Sequence, residues 1–270
     1  MKGTNVNIIR YPGGKQRMLD FLMRYLPTRD FIPGRLVEPF VGSGAVFLAT
    51  NPKRALLSDM NDELIDLYRG LRLYPLEVWR AYRGFPSTCD GYYRVRSWNP
   101  KDLDLAHAAA RTLYLNRTCF KGMWRHNSTG EFNVGYGGQD RRWVIGQDSL
   151  LEISRRLRRA TLRCADFEDV IDGCNSCDFL FVDPPYKAGA REMTHDHYRH
   201  GKFSMMENKR LAATLRRATA RGVHWAITTS AHPDIVRLFR KCQVIPFQRG
   251  TGKRIGELVS RSGEVLILNY

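Results

Sequence analysis

Two neighbouring stretches, "RLVEPFVGSGAVFLA" (35–49) and "RALLSDMNDELIDLYRGL" (54–71), decide how the fold is read. The first is an apolar run, a glycine turn and the start of a helix. The second is a short apolar run ending at Asp59, then an amphipathic helix. Strand, turn, helix and acid-ended strand form the first half of a parallel nucleotide-binding sheet. Glycines after the first strand let the backbone approach a ligand, and an acid closing the next strand can hold ribose hydroxyls. Gly42 and Gly44 have no third glycine at the dinucleotide spacing, so this is not G-x-G-x-x-G. Taken alone, a tight structural turn explains the pair nearly as well.

On the N-terminal side, "RYPGGK" (10–15) reads as a loop feeding a helix, "KQRMLDFLMRYL" (15–26). Met18, Leu19, Leu22 and Leu26 recur at helical spacing until Pro27. "PGGKQ" is not a P-loop, because Ile9 stands where the first glycine belongs and Gln16 replaces the magnesium-binding hydroxyl. Lys15 at a helix start can still receive a carboxylate.

From 61 to 164 the α/β rhythm is lost. Helical stretches such as "LDLAHAAARTLYLN" (103–116) precede an aromatic, glycine- and arginine-rich segment, in which "STGEFNV" (128–134) predicts a hairpin turn and a strand. The rhythm resumes with "RATLRCADFEDVI" (159–171), "CDFLFVDPPY" (177–186), a helix over 206–222 and the strand "VHWAITTS" (223–230). The segment 254–270 predicts a hairpin turning at "SRSGE" (260–264). We therefore expect a sheet domain of residues 1–60 and 165–270 carrying an inserted domain, 61–164.

The 270 residues, 43% hydrophobic and 26% charged, have globular composition. A net charge of +16 favours a polyanionic partner, since Lys and Arg displace condensed counterions from phosphates. A merely basic surface is the other reading. No run approaches the ~18 apolar residues of a membrane span, and the first residues lack a signal-peptide core, so a cytoplasmic location is expected. Cys174 and Cys177 form a C-x-x-C near His195, His197 and His200, but a second ligand pair at a zinc spacing is missing. No metal is expected.

"FVDPPY" (181–186) carries the chemistry. At the carboxyl end of a parallel strand, residues face the ligand crevice. An exocyclic amine on a heterocycle has two N–H donors and a lone pair delocalised into the ring. Asp183 can accept one N–H and the Pro184 carbonyl the other, which favours a pyramidal nitrogen with its lone pair free to attack a methyl donor. Pro184 and Pro185 fix φ and bring no competing donor. Tyr186 offers a stacking platform worth about 1–3 kcal/mol.

"RYPGGK", "VEPFVGSG", "LLSDMNDELIDLY", "LYLNRTCFKGMWRHN", "GEFNVGYG" and "FVDPPY" occur in the order found in the Dam-type (D12 class) DNA adenine N6-methyltransferases, which the chain resembles over essentially its whole length. The resemblance implies a Rossmann-like methyltransferase sheet with an inserted, mostly helical target-recognition domain bearing a β-hairpin. It also implies S-adenosylmethionine as donor and double-stranded DNA as substrate, with the target adenine flipped out of the duplex. It places Tyr11, Lys15, Phe40, Gly42, Gly44, Asp59, Asp166, Phe167 and Asp183 at the cofactor, and Asp183, Pro184, Pro185 and Tyr186 at the reacting base. For DNA it points to Arg10, Phe120, Lys121, Met123, Arg125, Asn127 and Tyr136. In that set Arg125 reads a guanine and Phe120 fills the space left by the flipped adenine. The chain departs from the family pattern at Tyr11, Lys121, Met123 and Gly135. The last three adjoin the bases, so GATC is one candidate target.

Other readings stay open at this level: methylation of cytosine N4, a protein amide or RNA; a silent DNA-binding module; a nucleotide-binding oxidoreductase. The charge speaks against a protein substrate, and the missing third glycine against the last. No obligatory protein partner is evident.

Overall fold

The structure is a computed structural model that describes residues 8–10, 15–127, 129–138, 145–186, 203–249 and 260–270. Tyr11 and the histidines at 195, 197 and 200 lie outside the described residues.

Five parallel strands build the sheet: β1 (Leu36–Glu38), β2 (Ala55–Asp59), β3 (Ala160–Cys164), β4 (Phe179–Val182) and β5 (His224–Ser230). Two antiparallel strands, β6 (Gln243–Arg249) and β7 (Ser260–Leu268), complete it, giving the order β3-β2-β1-β4-β5-β7-β6 among the described residues. The chain leaves β1 towards β2 on one side and β4 on the other, so the crevice of this Rossmann-like sheet opens between β1 and β4.

Successive strand residues face opposite layers. Leu36, Leu57, Phe179, Phe181 and Leu266 join one core, while Val37, Leu56, Leu180, Val182 and Ile267 join the other. The second core is covered by α8 (Phe167–Asp172), α9 (Met205–Ala220) and α10 (Pro233–Val236). The first receives α1 (Leu19–Leu22), α2 (Ala45–Thr50), α3 (Asp62–Leu73), α4 (Pro75–Gly84), α5 (Cys89–Arg96), α6 (Leu105–Thr118) and α7 (Gln147–Leu157). Asn61 caps α3 by accepting the Leu64 N–H, and Asp104 caps α6 through His107. Tyr82, Tyr92 and Tyr114 of the helical segment are fully buried in the same core as the sheet residues.

Two expectations change. β3 lies inside 61–164 yet pairs along its whole length with β2, so the helical segment interlocks with the sheet. The C-terminal pair is antiparallel as expected, but "SRSGE" lies within β7 and is not its turn. Gly263, read as a turn residue, is instead an irregularity inside a strand, which a lone glycine in an apolar alternation equally signals. None of the described helices is long and apolar enough to cross a membrane.

Candidate active site

β1, β2 and β4 end at one edge of the sheet, and each delivers a carboxylate there. Glu38 closes β1, Asp59 closes β2 and Asp183 follows β4. Between the first two runs the glycine turn, where Gly42 (φ 47) and Gly44 (φ 63) adopt the left-handed conformation that favours glycine. The turn is pinned from below: Tyr68 of α3 donates its hydroxyl to the Gly42 carbonyl at 2.6 Å.

Asp59 accepts the Gly42 N–H (3.1 Å) on one oxygen and the Asn61 N–H (3.1 Å) on the other. Burial outweighs these bonds and pushes its carboxyl from 3.8 up to about 6. Glu38 is buried, 2% exposed. Burial holds its carboxyl well above the ordinary range despite a backbone N–H from Phe47, and Asp183 adds to the effect. Its Oε1 has no hydrogen-bond partner among the described residues.

Asp183 Oδ1 lies 2.8 Å from the Lys15 ammonium and accepts the Thr228 hydroxyl at 2.7 Å. Its Oδ2 makes no hydrogen bond among the described residues. Burial raises the Asp183 carboxyl, opposed by Lys15 and Thr228 and reinforced by Glu264. Lys15, 4% exposed, also sits 4.8 Å from the centroid of the Tyr186 ring, whose hydroxyl donates to Glu264 at 3.0 Å. Burial, with Asp183 and Glu264, keeps that hydroxyl protonated far above its usual range. Pro184 is buried and Pro185 half-buried. In a chain of net charge +16, this crevice gathers acids around one described lysine.

An aromatic group lies beside the acids. Phe40 packs on Phe167 (5.3 Å between ring centroids) and on Phe203 (5.7 Å), and Phe167 and Phe203 are 6.0 Å apart. Asp166 caps α8 through the Glu168 N–H and forms a two-bond fork with Arg210 (2.9 and 3.0 Å), whose guanidinium covers Phe167 at 4.2 Å. The Asp166 side chain is thus committed to holding this wall.

The residues expected at DNA gather around α6. Asn116, fully buried, accepts the Arg10 N–H (2.8 Å) and donates to the Arg10 carbonyl (2.6 Å). Arg117 donates to the Ile8 carbonyl. α6 therefore clips the segment 8–10, and the Arg10 side chain packs against Gly122. Phe120 is 42% exposed, with its N–H bonded to the Gly135 carbonyl. Lys121, a non-glycine residue at φ 55, brings its ammonium within 5.2 Å of the Phe120 ring centroid. The expected hairpin exists as two isolated bridges, Cys119↔Tyr136 and His126↔Phe132. Its tip is an Asn127-centred turn: the Asn127 side-chain oxygen accepts from Thr129 and Glu131, and its amide donates to the Glu131 carboxylate. Arg125 donates from Nε to Asn133 Oδ1 (2.8 Å) and from Nη2 to the Asn133 carbonyl (3.3 Å), which fixes the direction of the guanidinium. Met123 is half-buried beside Cys119, and Tyr136 donates its hydroxyl to the Ser87 carbonyl. Tyr11 cannot be placed with the rest, lying outside the described residues.

Sequence reasoning did not single out Glu38, Asn116, Asn133, Phe203, Thr228 or Glu264. Glu38 carried a signal, an acid at the end of an apolar strand; the others are ordinary polar or apolar residues until the fold brings them together. Burial pushes the Cys119 and Cys174 thiols up to about 12, so neither is poised as a thiolate nucleophile.

The profile of the D12 class N6 adenine-specific DNA methyltransferases matches residues 11–249. The DNA N-6-adenine-methyltransferase of Escherichia phage P1 is 37% identical over 86% of this chain, which spans 31% of that longer protein. The type II methyltransferase M1.LlaDCHI of Lactococcus lactis subsp. cremoris is 26% identical over 97% of this chain and 94% of its own. The DNA adenine methylase of Escherichia coli K12 is 29% identical over 95% of each. With a family match running from the segment before Lys15 to the end of β6, across every acid-bearing strand end, the chain belongs to the D12 class N6 adenine-specific DNA methyltransferases.

Proposed function

We propose that the chain transfers a methyl group from S-adenosylmethionine to N6 of an adenine flipped out of double-stranded DNA, in a bacterial or phage-infected cytoplasm. The observation that carries this is Asp183. Its carboxylate stands at the mouth of the β1/β4 crevice, with Oδ1 held by Lys15 and Thr228 and Oδ2 left to accept an N6–H. The Pro184 carbonyl takes the second N6–H, and Tyr186 stacks on the base.

The crevice fits this donor on its own chemistry. Glu38, whose buried Oε1 has no partner among the described residues, calls for a cationic group such as an ammonium. Asp59 is placed to accept ribose hydroxyls, and Phe40, Phe167 and Phe203 form a wall for a flat purine. When bound, S-adenosylmethionine supplies a methyl made electrophilic by its sulfonium. Lys15 keeps Asp183 ionised for the acceptor role. No metal and no covalent enzyme–base bond enter the scheme.

The helical segment between β2 and β3 acts as the target-recognition part. Arg125, aimed by Asn133, presents Nη1 and the second hydrogen of Nη2 as a fork for guanine O6 and N7. Phe120 is the wedge, Lys121 and Met123 flank it, Arg10 approaches the target from the clipped segment, and Asn127 and Tyr136 set the shape of the hairpin. Arg125→Ala is expected to relax discrimination at one guanine by about 1–3 kcal/mol. An equal loss on all duplexes in competition binding would make Arg125 a phosphate contact instead.

The test of the function is direct. Protein, labelled donor and duplex DNA are incubated and digested to nucleosides. N6-methyladenine supports the reading; N4-methylcytosine or no label rejects it. Mapping the modified positions in a plasmid tests GATC as the target.

Asp59 gives the site a pH dependence of two opposite signs. Its folded pKa, raised to about 6, means that its contribution to fold stability is fully present below about 4 and is lost as pH rises through 6. Ribose binding needs the ionised acceptor, so cofactor affinity rises over the same interval. Calorimetric titration is expected to show roughly tenfold weaker cofactor binding at pH 5 than at pH 7. Asp59→Asn removes that step, and a step that survives the substitution excludes Asp59 as its source.

A further inference from the structure

β7 is irregular at the point where it meets the clamp. Its pairing with β6 runs through Pro246↔Val265 and Gln248↔Arg261, so residues 262–264 stand opposite residue 247 alone. Gly263 within this bulge has φ 75. On the other edge, pairing with β5 reaches Ser230↔Glu264, and Ala231 N–H donates to the Gly263 carbonyl at 2.9 Å. Bulges re-aim the side chains beside them and recur next to active sites. Here the re-aimed side chain is Glu264, whose carboxylate accepts the Tyr186 hydroxyl at 3.0 Å.

We propose that Glu264 is a positioning residue, fixing the Tyr186 ring in its base-stacking orientation before the flipped adenine arrives. This rests on the reading of residues 183–186 as a base clamp. A tyrosine just past a strand end can turn about two side-chain bonds. A bond from its hydroxyl to a carboxylate on a paired strand stops the first rotation by fixing the far end of the ring, and biases the second because a phenolic O–H prefers the ring plane; such charge-assisted bonds are about twice as strong as neutral ones. Burial keeps the hydroxyl protonated, so it remains a donor throughout the working pH range. Lys15, which also neighbours the ring, is itself fixed on Asp183, and Thr228 reaches both Asp183 and the Tyr186 hydroxyl, so Glu264, Tyr186, Lys15, Asp183 and Thr228 form one connected set. Ordering the ring in advance removes that ordering from the reactive complex, which is felt in kcat more than in DNA binding.

The test compares wild type, Glu264→Ala, Glu264→Gln, Tyr186→Phe and the Ala/Phe double variant. Single-turnover transfer, KM for DNA and emission from a duplex carrying 2-aminopurine at the target position are measured. Glu264→Ala and Tyr186→Phe are each expected to lower kcat on the order of tenfold with KM for DNA nearly unchanged. The double variant is no worse than either single one, and Glu264→Gln, which still accepts the bond, recovers most of the rate. Emission from the flipped 2-aminopurine rises in Glu264→Ala because the loosened ring quenches it less. Tyr186→Phe leaves the bulge intact and carries the comparison should Glu264→Ala fold poorly. Multiplying losses in the double variant, or unchanged rate and emission in Glu264→Ala, overturn the positioning role alone. Absence of N6-methyladenine from the wild type overturns the clamp reading and the proposal with it.

Discussion

Replacing Asp183 by Ala is expected to lower methyl transfer by about 10²–10³-fold or more while leaving duplex binding largely in place. The substitution removes the acceptor that polarises the adenine amine in the transition state, whereas the elements proposed to hold DNA lie elsewhere, on segment 8–10 and around 118–137. It also leaves Lys15, 4% exposed, without its carboxylate. Breaking a buried pair from one side typically destabilises by about 3–5 kcal/mol, so the melting temperature must be followed alongside the rate. Asp183→Asn separates the two effects. It can keep the Thr228 bond and the packing volume but not the charge, and its rate is expected to stay close to that of the Ala variant. Near-normal turnover in either folded variant would remove the carboxylate from the mechanism.

Lys15→Ala is expected to have the second largest effect, with a distinctive pH signature. Burial already raises the Asp183 carboxyl, with Lys15 as the leading opposing influence. Without the ammonium, Asp183 faces Glu264 and Glu38 uncompensated and protonates at higher pH. A protonated Asp183 is a poorer acceptor, so turnover near neutral pH falls by roughly 10²-fold, and the acid limb of the rate profile moves upward. Raising the pH therefore recovers part of the activity of Lys15→Ala but none of that of Asp183→Ala. Parallel pH profiles for wild type and Lys15→Ala would show that the lysine does not set the ionisation of Asp183.

The alternation of apolar residues, the acid closing β2, the glycine turn and "DPPY" were local signals, and local signals survive in a sequence. They were enough for a parallel sheet and its crevice, and for proposing the clamp at residues 183–186. The inserted helical segment was legible as a break in rhythm, but its boundary was not. β3 was legible as the place where the α/β rhythm resumes, but its partner was not, and only its backbone pairing with β2 assigns it to the sheet. Gly263 shows the same limit: a glycine licenses a turn or a bulge, and only the partner strands decide which.

The sequence by itself singled out Asp183, Lys15 and Asp59 as the groups on which the proposed site is built. What only the tertiary structure decided is their company. Lys15 and Asp183 are 168 positions apart, and Tyr186 and Glu264 are 78 apart, yet both pairs meet at hydrogen-bond distance. The structure likewise spends Asp166 on Arg210 and Asn127 on a turn, and recruits Asn116 to clip Arg10. A residue's type fixes which bonds it can make. Which of them it does make depends on the groups that folding buries beside it, because a buried polar atom must take whatever partner lies within reach.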